Sequence, residues 1–412
     1  MYETTGNMAR FSCCVVSAVL LAVLPCQGKE DGTPLRKAAA VNDADCLKEM
    51  LSGTPAGHFT PDTASLLFIG DVMMHASQIA DAHRRYLANG GTAPADSHEA
   101  YDFTPCLQDI RERMETADIT VANMEFTLAG APFTGYPSFS APDSYAEYLA
   151  ACGTDVFLTA NNHICDKGQD GMGRTFRKYR ELEASFGTRT TGICDTEDST
   201  SCCGPIYVRA RGIRIAMVNF TYGTNAPYGK RFRTQVEKDR EGILRMLTKA
   251  DKEADIVIAL PHWGEEYRLR HSAAQEKTAG WLAENGADII IGTHPHVVQD
   301  CDTIHVMTDE GPKYVPVIYS LGNIISNMSA PDTQIGLMLT INIVKYPDGG
   351  MELLRPEMEF TWCSLPGRLS DSHRTVPVKE FLDRKDEWIS TYDWTKMKTT
   401  YLRIKEATGI RD

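Results

Sequence analysis

Ser65-Leu66-Leu67-Phe68-Ile69-Gly70-Asp71 is a short apolar run that stops at a glycine and an acid. Such a run reads as a buried strand whose C-terminal end opens into a loop. Runs of the same kind recur at 119–122, 156–159, 213–219, 256–260 and 289–291, with helical patterns between most of them. Alternating buried strands and helices predict α/β layers, the sheet largely parallel at its centre. From Thr303 the pattern changes to strands joined by turns, at 303–307, 314–320, 334–344 and 351–362. Pro347-Asp348-Gly349-Gly350 makes the last two a hairpin. After Pro366 the chain becomes charged, and 378–389 and 394–407 are predicted as helices.

The 412 residues, 42% of them hydrophobic, suffice for one large α/β domain with a full core and a small appendage. A net charge of −13 gives no support to a nucleic-acid footprint. A polyanionic partner would need a local basic or metal patch. At the start, Arg10 precedes an uncharged stretch at 11–24 and then Pro25 and Cys26, the order of a signal peptide. The apolar part is short of the roughly 20 residues of a membrane span. Cys26, followed by Gln27-Gly28-Lys29, looks like the acylated cysteine of a bacterial lipoprotein, although Val23-Leu24-Pro25 is a poor match to the small residue usual before it. The expectation is an exported, envelope-associated protein, periplasmic or at the surface, with lipid anchoring at Cys26 as its one membrane link. Residues 27–61 read as a linker with a short helix at 43–51, 62–365 as the main domain, and 366–412 as a helical extension. Nine cysteines follow Cys26, and Cys194 with Cys202 or Cys203 could close a small loop.

Polar residues cluster just after the apolar runs, where open α/β sheets bind ligands. In order they are Gly70-Asp71, Asn123-Met124-Glu125, Asn161-Asn162-His163, His262-Trp263-Gly264 and Gly292-Thr293-His294-Pro295-His296. One histidine after one strand is ordinarily a hydrogen-bonded structural residue. Five successive strand ends carrying Asp, Glu, Asn or His point to a site. Asp71, Glu125, Asn162, His262, His294 and His296 form an oxygen-and-nitrogen set suited to Mn, Fe or Zn, with no thiolate among them. Two divalent ions against two carboxylates leave about +2 for a bound anion and a hydroxide. That balance favours a phosphate or carboxylate substrate.

These motifs, with Asp166, Gly168, Gly171, Glu266-Tyr267 and Tyr319-Ser320-Leu321-Gly322-Asn323, resemble the full series of the bacterial capsule synthesis CapA family associated with poly-γ-glutamate. The family is similar to calcineurin-like metallophosphoesterases. The resemblance therefore implies a metallophosphatase-like layered sheet sandwich flanked by helices, and two divalent metal ions. It implies Asp71 and His296 on one ion, Glu125 as the bridge, and Asn162, His262 and His294 on the other. It makes His163 the acid that protonates the leaving group, with Asp166 orienting it.

Two positions depart from the wider phosphoesterase pattern. Met73 stands where a histidine ligand is usual, and a thioether suits hard divalent ions poorly. His75 is the substitute if the segment stays extended, since Asp71, Met73 and His75 would then face one side. Glu125 replaces an aspartate and shifts the bridge outward by a methylene. Trp263 and Tyr267 could wall the site, Glu266 could support it, and Asn323 could donate a hydrogen bond near it. Arg231 and Arg233, with Arg268 and Arg270, are the compact basic clusters that would bind an anionic substrate if their loops converge at the rim. Three classes stay open: a metal-dependent hydrolase or transferase, a polymer-binding factor of capsule assembly working with membrane partners, and a pseudoenzyme that keeps the pocket.

Overall fold

A computed structural model describes residues 62–198, 203–308 and 311–412. The expected leader with Cys26, and the linker with its helix at 43–51, lie outside the described residues. In chain order the strands are β1 (Asp62–Val72), β2 (Ile119–Met124), β3 (Val156–Leu158), β4 (Arg189–Thr191), β5 (Ile193–Asp195), β6 (Ile206–Ala210), β7 (Ile213–Thr221), β8 (Phe232–Thr234) and β9 (Ile256–His262). They continue as β10 (Ile289–Ile291), β11 (Cys301–Thr308), β12 (Gly311–Ile318), β13 (Asn323–Ile325), β14 (Ile335–Lys345), β15 (Met351–Leu353), β16 (Glu357–Ser364) and β17 (Arg374–Pro377). The helices are α1 (Ala76–Ala88), α2 (Arg111–Thr116), α3 (Asp143–Ala151), α4 (Gly168–Phe186), α5 (Arg240–Glu253), α6 (Ala273–Glu284), α7 (Val378–Phe381) and α8 (Thr391–Thr408). No helix among the described residues is long and apolar enough to cross a membrane.

One sheet runs β17-β16-β14-β1-β2-β3-β4, with β13 on β1 and β15 on β14; the other runs β11-β12-β10-β9-β7-β6. Each is parallel at its centre: β1, β2, β3 and β4 in the first, β7, β9, β10 and β12 in the second. Side chains alternate across each pleat, and that alternation builds the layers. Leu66 and Phe68 of β1 join Ile256, Ile258 and Leu260 of β9 in the seam between the sheets. Leu67 and Ile69 point the other way, to an apolar layer that includes Tyr145 and Leu149 of α3. Val257 and Ala259 of β9 likewise meet Ile243 and Leu247 of α5. The result is helix, sheet, sheet, helix, the layered α/β sandwich expected. Each fully buried Leu, Ile or Phe contributes roughly 1.5–3 kcal/mol, so the seam and the two outer layers together supply the apolar stabilisation.

Three local readings change. The strand expected at 351–362 is two, β15 and β16, broken around Pro356, whose nitrogen has no hydrogen for a ladder. The helix expected at 378–389 is a single turn followed by a short 3-10 turn at Lys385–Glu387. The stretch after Pro366 is not wholly helical, because β17 adds an edge strand to the first sheet. Phe381, Met397, Tyr401 and Ile404 of that stretch sit in the same apolar cluster as the inter-sheet seam. Cys194 is paired with Cys203, while Cys106, Cys152, Cys165 and Cys363 are free and buried.

Candidate metal centre

The parallel strands of both sheets end on one side of the molecule, and their next residues meet there. Asp71 lies at the end of β1, Glu125 just past β2, Asn162 and His163 past β3, His262 at the end of β9, and His294 and His296 past β10. Six of these seven approach one another within hydrogen-bond or near-contact distance, and His163 lines the adjoining cleft. Two glycines let the backbones come close enough. A Cβ on Gly70 would stand 1.9 Å from the Gly322 carbonyl oxygen, and one on Gly292 would stand 2.1 Å from that of Tyr319. His294 and His296 both have left-handed backbone, φ +101° and +58°, a strain found where side chains are aimed for function.

Every proposed ligand is buried. His262 bonds through Nε2 to Asn162 Oδ1 at 2.9 Å and lies 3.7 Å from Glu125 Oε1. Its Nδ1 is 3.0 Å from Thr293 Oγ1 and 3.3 Å from Asn123 Nδ2, which also donates to Asp71 Oδ1 at 2.7 Å. The second Asp71 oxygen lies 3.3 Å from the His294 amide nitrogen and 3.3 Å from His296 Nδ1. His296 Nδ1 is 3.0 Å from Asn323 Oδ1, and its Nε2 is 3.6 Å from Glu125 Oε1.

Burial sets the charge states. It pulls His262 well below the ordinary histidine value and His294 down to about 3, helped in both by neighbouring imidazoles. His296 is drawn down by burial but pushed up to about 10 overall by Glu125 and Asp71. Burial also raises the Glu125 carboxyl well above the usual range, against the pull of His296. Burial thus favours neutral His262 and His294, the form that binds a metal, while Glu125 and Asp71 favour a proton on His296.

The site fits a divalent ion on its own chemistry. Both Glu125 oxygens, His294 Nδ1 and Asn123 Oδ1 are buried without any hydrogen-bond partner, a costly state for side chains that an ion would satisfy. Glu125, His294 and His296 bring ligand atoms within 4.8 Å of one another, as do Asp71, Glu125 and His262. The two sets share Glu125, but they group His296 with His294 and His262 with Asp71, where the expectation put His296 with Asp71 and His262 with His294.

His163 stands apart from these sets. Its Nδ1 lies 2.8 Å from Asp166 Oδ2, which also accepts from the Phe139 amide. Beside it opens a cleft of 420 Å³ lined by Tyr136, Asn162, His163, Asp166, Asn225 and Glu266, among others. Met73 is buried in the apolar layer shared with Tyr145, so its position contributes core packing. The extended course that would aim His75 beside Asp71 is broken: β1 ends at Val72 and His75 precedes α1. His75 Nδ1 accepts from the Asn327 amide at 3.2 Å. Trp263 is buried and donates to the Tyr319 carbonyl, so it packs and forms no wall, whereas Tyr267 lies exposed with its ring 6.3 Å from His296.

The basic loops do not meet at the cleft. Arg231 is held by Asp195 and Glu197, Arg270 by Asp300, and Arg268 lies 3.7 Å from Glu265. Arg233 donates to the Lys230 carbonyl and lines a separate cavity. Four residues were missed as parts of the site. Asn123 and Thr293 stand inside the strand-end motifs but carried no assigned role. Tyr222, whose ring lies 4.6 Å from His294, and Asn225, whose Nδ2 lies 3.3 Å from His163 Nδ1, follow β7. The apolar run at 213–219 was the signal, since its strand end belongs to the same row.

The chain matches the family described as "Bacterial capsule synthesis protein PGA_cap" over residues 65–328. It is 25% identical over 283 residues to "Capsule biosynthesis protein CapA" of Bacillus anthracis, across 66% of this chain and 62% of that protein. To "PGA biosynthesis protein CapA" of Bacillus subtilis it is 27% identical over 200 residues, 48% of this chain and 49% of that one. In both cases the chain spans less than two thirds of the relative's length. A 5′-nucleotidase structure from Candida albicans aligns over 85% of this chain and 60% of its own, with 10% identity and a TM-score of 0.37. The family match runs from β1 through Asn323, across every strand end that builds the centre, and the chain belongs to the bacterial capsule synthesis protein PGA_cap family.

Proposed function

We propose that the centre is a divalent-metal hydrolase site of the phosphoesterase type, in an exported protein of capsule or poly-γ-glutamate synthesis. One observation carries this reading: both Glu125 oxygens and His294 Nδ1 lie buried and partnerless where Asp71, Asn162, His262 and His296 converge. Asp71, Glu125, Asn162, His262, His294 and His296 would hold two ions, Mn, Fe or Zn by donor chemistry. Ions so bound lower the pKa of water and neutralise charge on the group being cleaved.

The chain's own groups do the rest. Thr293 and Asn323 contact Nδ1 of His262 and His296 and keep each Nε2 facing inward. Asp166 accepts from His163 Nδ1 and orients the ring, so that a proton on Nε2 would pass to the leaving oxygen as its bond to phosphorus breaks. Water oxygen forms the new bond to phosphorus, and its proton leaves to solvent. The two CapA relatives, named for capsule and PGA biosynthesis, support capsule synthesis as the setting, and we propose an anionic polymer, phosphate- or carboxylate-bearing, as the substrate there. Envelope partners and a lipid link at Cys26 complete the proposal.

Metal analysis of the purified chain, with a panel of phosphodiester and γ-glutamyl substrates, tests it. Metal-dependent turnover of a panel member supports the reading, and absence of stoichiometric metal sinks it. Met73, buried as core, is the observation behind a second reading, a non-catalytic polymer-binding factor. Stoichiometric metal with no turnover across the panel would select that one.

A further inference from the structure

The cleft beside His163 has an unexpected charge for a protein set among anionic polymers. Among the described residues no lysine or arginine lines it. Its carboxylates are Asp166, already engaged by His163 and the Phe139 amide, and Glu266, which is exposed at the rim. Glu265 next door has Arg268 at 3.7 Å, but no lysine or arginine among the described residues forms a salt bridge with Glu266. Aromatic faces stand around it. Tyr136 is 74% exposed on the cleft wall, and Tyr267, next to Glu266 in the chain, is 48% exposed.

We infer that this cleft receives a leaving group that carries a primary amine in its ammonium form. The inference rests on the hydrolase reading, because His163, the acid of that reading, is what makes this the leaving-group side. A carboxylate with no lysine or arginine paired to it offers an ammonium a charge-assisted hydrogen bond. Tyrosine faces add attraction for a cation and none for an anion. An anionic leaving group would find no lysine or arginine in the lining and would meet Glu266 instead. The substrate class is thus an aminoalkyl ester of a phosphate, its negative end on the metal centre and its positive end at Glu266.

Calorimetric titration of the metal-loaded full chain reads this preference without turnover. The probes are 2-aminoethyl-, 3-aminopropyl- and 4-aminobutylphosphonate, each against its methyl-terminated isostere, propyl-, butyl- and pentylphosphonate. At least one amino member is expected to bind about tenfold or more tightly than its isostere, a hydrogen bond to a charged group being worth that much. Glu266→Gln should bring the ratio close to one. Equal binding within every pair, preference that survives Glu266→Gln, or no binding by any probe would overturn the inference. Phosphate release from 2-aminoethyl phosphate separates the two ideas. Preferred binding without release rejects the hydrolase reading and keeps the ammonium site, whereas release without preference does the reverse.

Discussion

His296 turns its Nδ1 to the carboxamide oxygen of Asn323, 3.0 Å away, and thereby aims its Nε2 at Glu125. The Asn323 amide is itself fixed, since Nδ2 points to the carbonyls of His296 and Thr333. Its oxygen must therefore face the ring, and the ring must donate from Nδ1. Asn323→Ala should lower metal affinity about 10- to 100-fold, the usual effect of losing such a partner. Competition with a metal-sensitive dye measures it, and unchanged affinity would show that His296 needs no such support.

Glu125 should lower the stability of the metal-free protein. A buried carboxyl group with two partnerless oxygens costs folding energy that a bound ion would return. Glu125→Gln should raise the melting temperature of the chelator-treated protein and abolish the further rise on adding metal. In the native chain, metal at 100 times its Kd should add about 2.7 kcal/mol. A metal-induced shift that persists in Glu125→Gln would remove this residue from the ligands.

On the proposed hydrolase reading His163 gives a proton and does not hold an ion. His163→Asn should keep the full metal content, bind anions nearly as before, and lose about 10²–10⁴-fold in turnover of substrates with poor leaving groups. Good leaving groups should be spared. Loss of one equivalent of metal would move His163 to the ligand list instead.

Lys313 and Asp288 form a buried pair at 2.8 Å, and the other Asp288 oxygen accepts from the Val257 amide at 2.7 Å. Removing one partner strands the other charge between β10 and β12. Asp288→Ala should cost about 3–5 kcal/mol, seen as a lower denaturation midpoint. A change below about 1 kcal/mol would mean that water reaches Lys313.

Asp239 caps α5, accepting from the Gly242 amide at 3.0 Å and from Gln235 Nε2 at 3.1 Å. These bonds, Gln235 first, hold its carboxyl below the usual aspartate value. A depressed folded-state pKa means that the stabilisation is present above the unfolded value, near 3.8, and is lost as pH falls through the lower folded one. Asp239→Ala should cost about 1 kcal/mol at pH 7, and the gap between variant and native chain should close in acid. A gap independent of pH would show that the charge is not what the cap contributes.

The amino-acid sequence by itself determined the layers and the row of ligand types. Continuous apolar runs such as Leu66 to Ile69 can bury both faces only between a partner sheet and covering helices. Asp71, Glu125, Asn162, His262, His294 and His296 were legible because each follows such a run. Tertiary structure alone decided which side chains face which. His75 and Met73 lie four and two residues from Asp71, yet a helix start carries one to Asn327 and the core takes the other. The arginine clusters looked like anion receptors until Asp195 and Asp300, distant in the chain, were found to hold two of them. Asn225 shares no motif with His163 and meets it only because β7 ends beside β9 and the loop after it folds back over Asn162. Local spacing specifies where a side chain leaves its strand; its partner depends on backbone turns and on contacts between residues far apart in sequence.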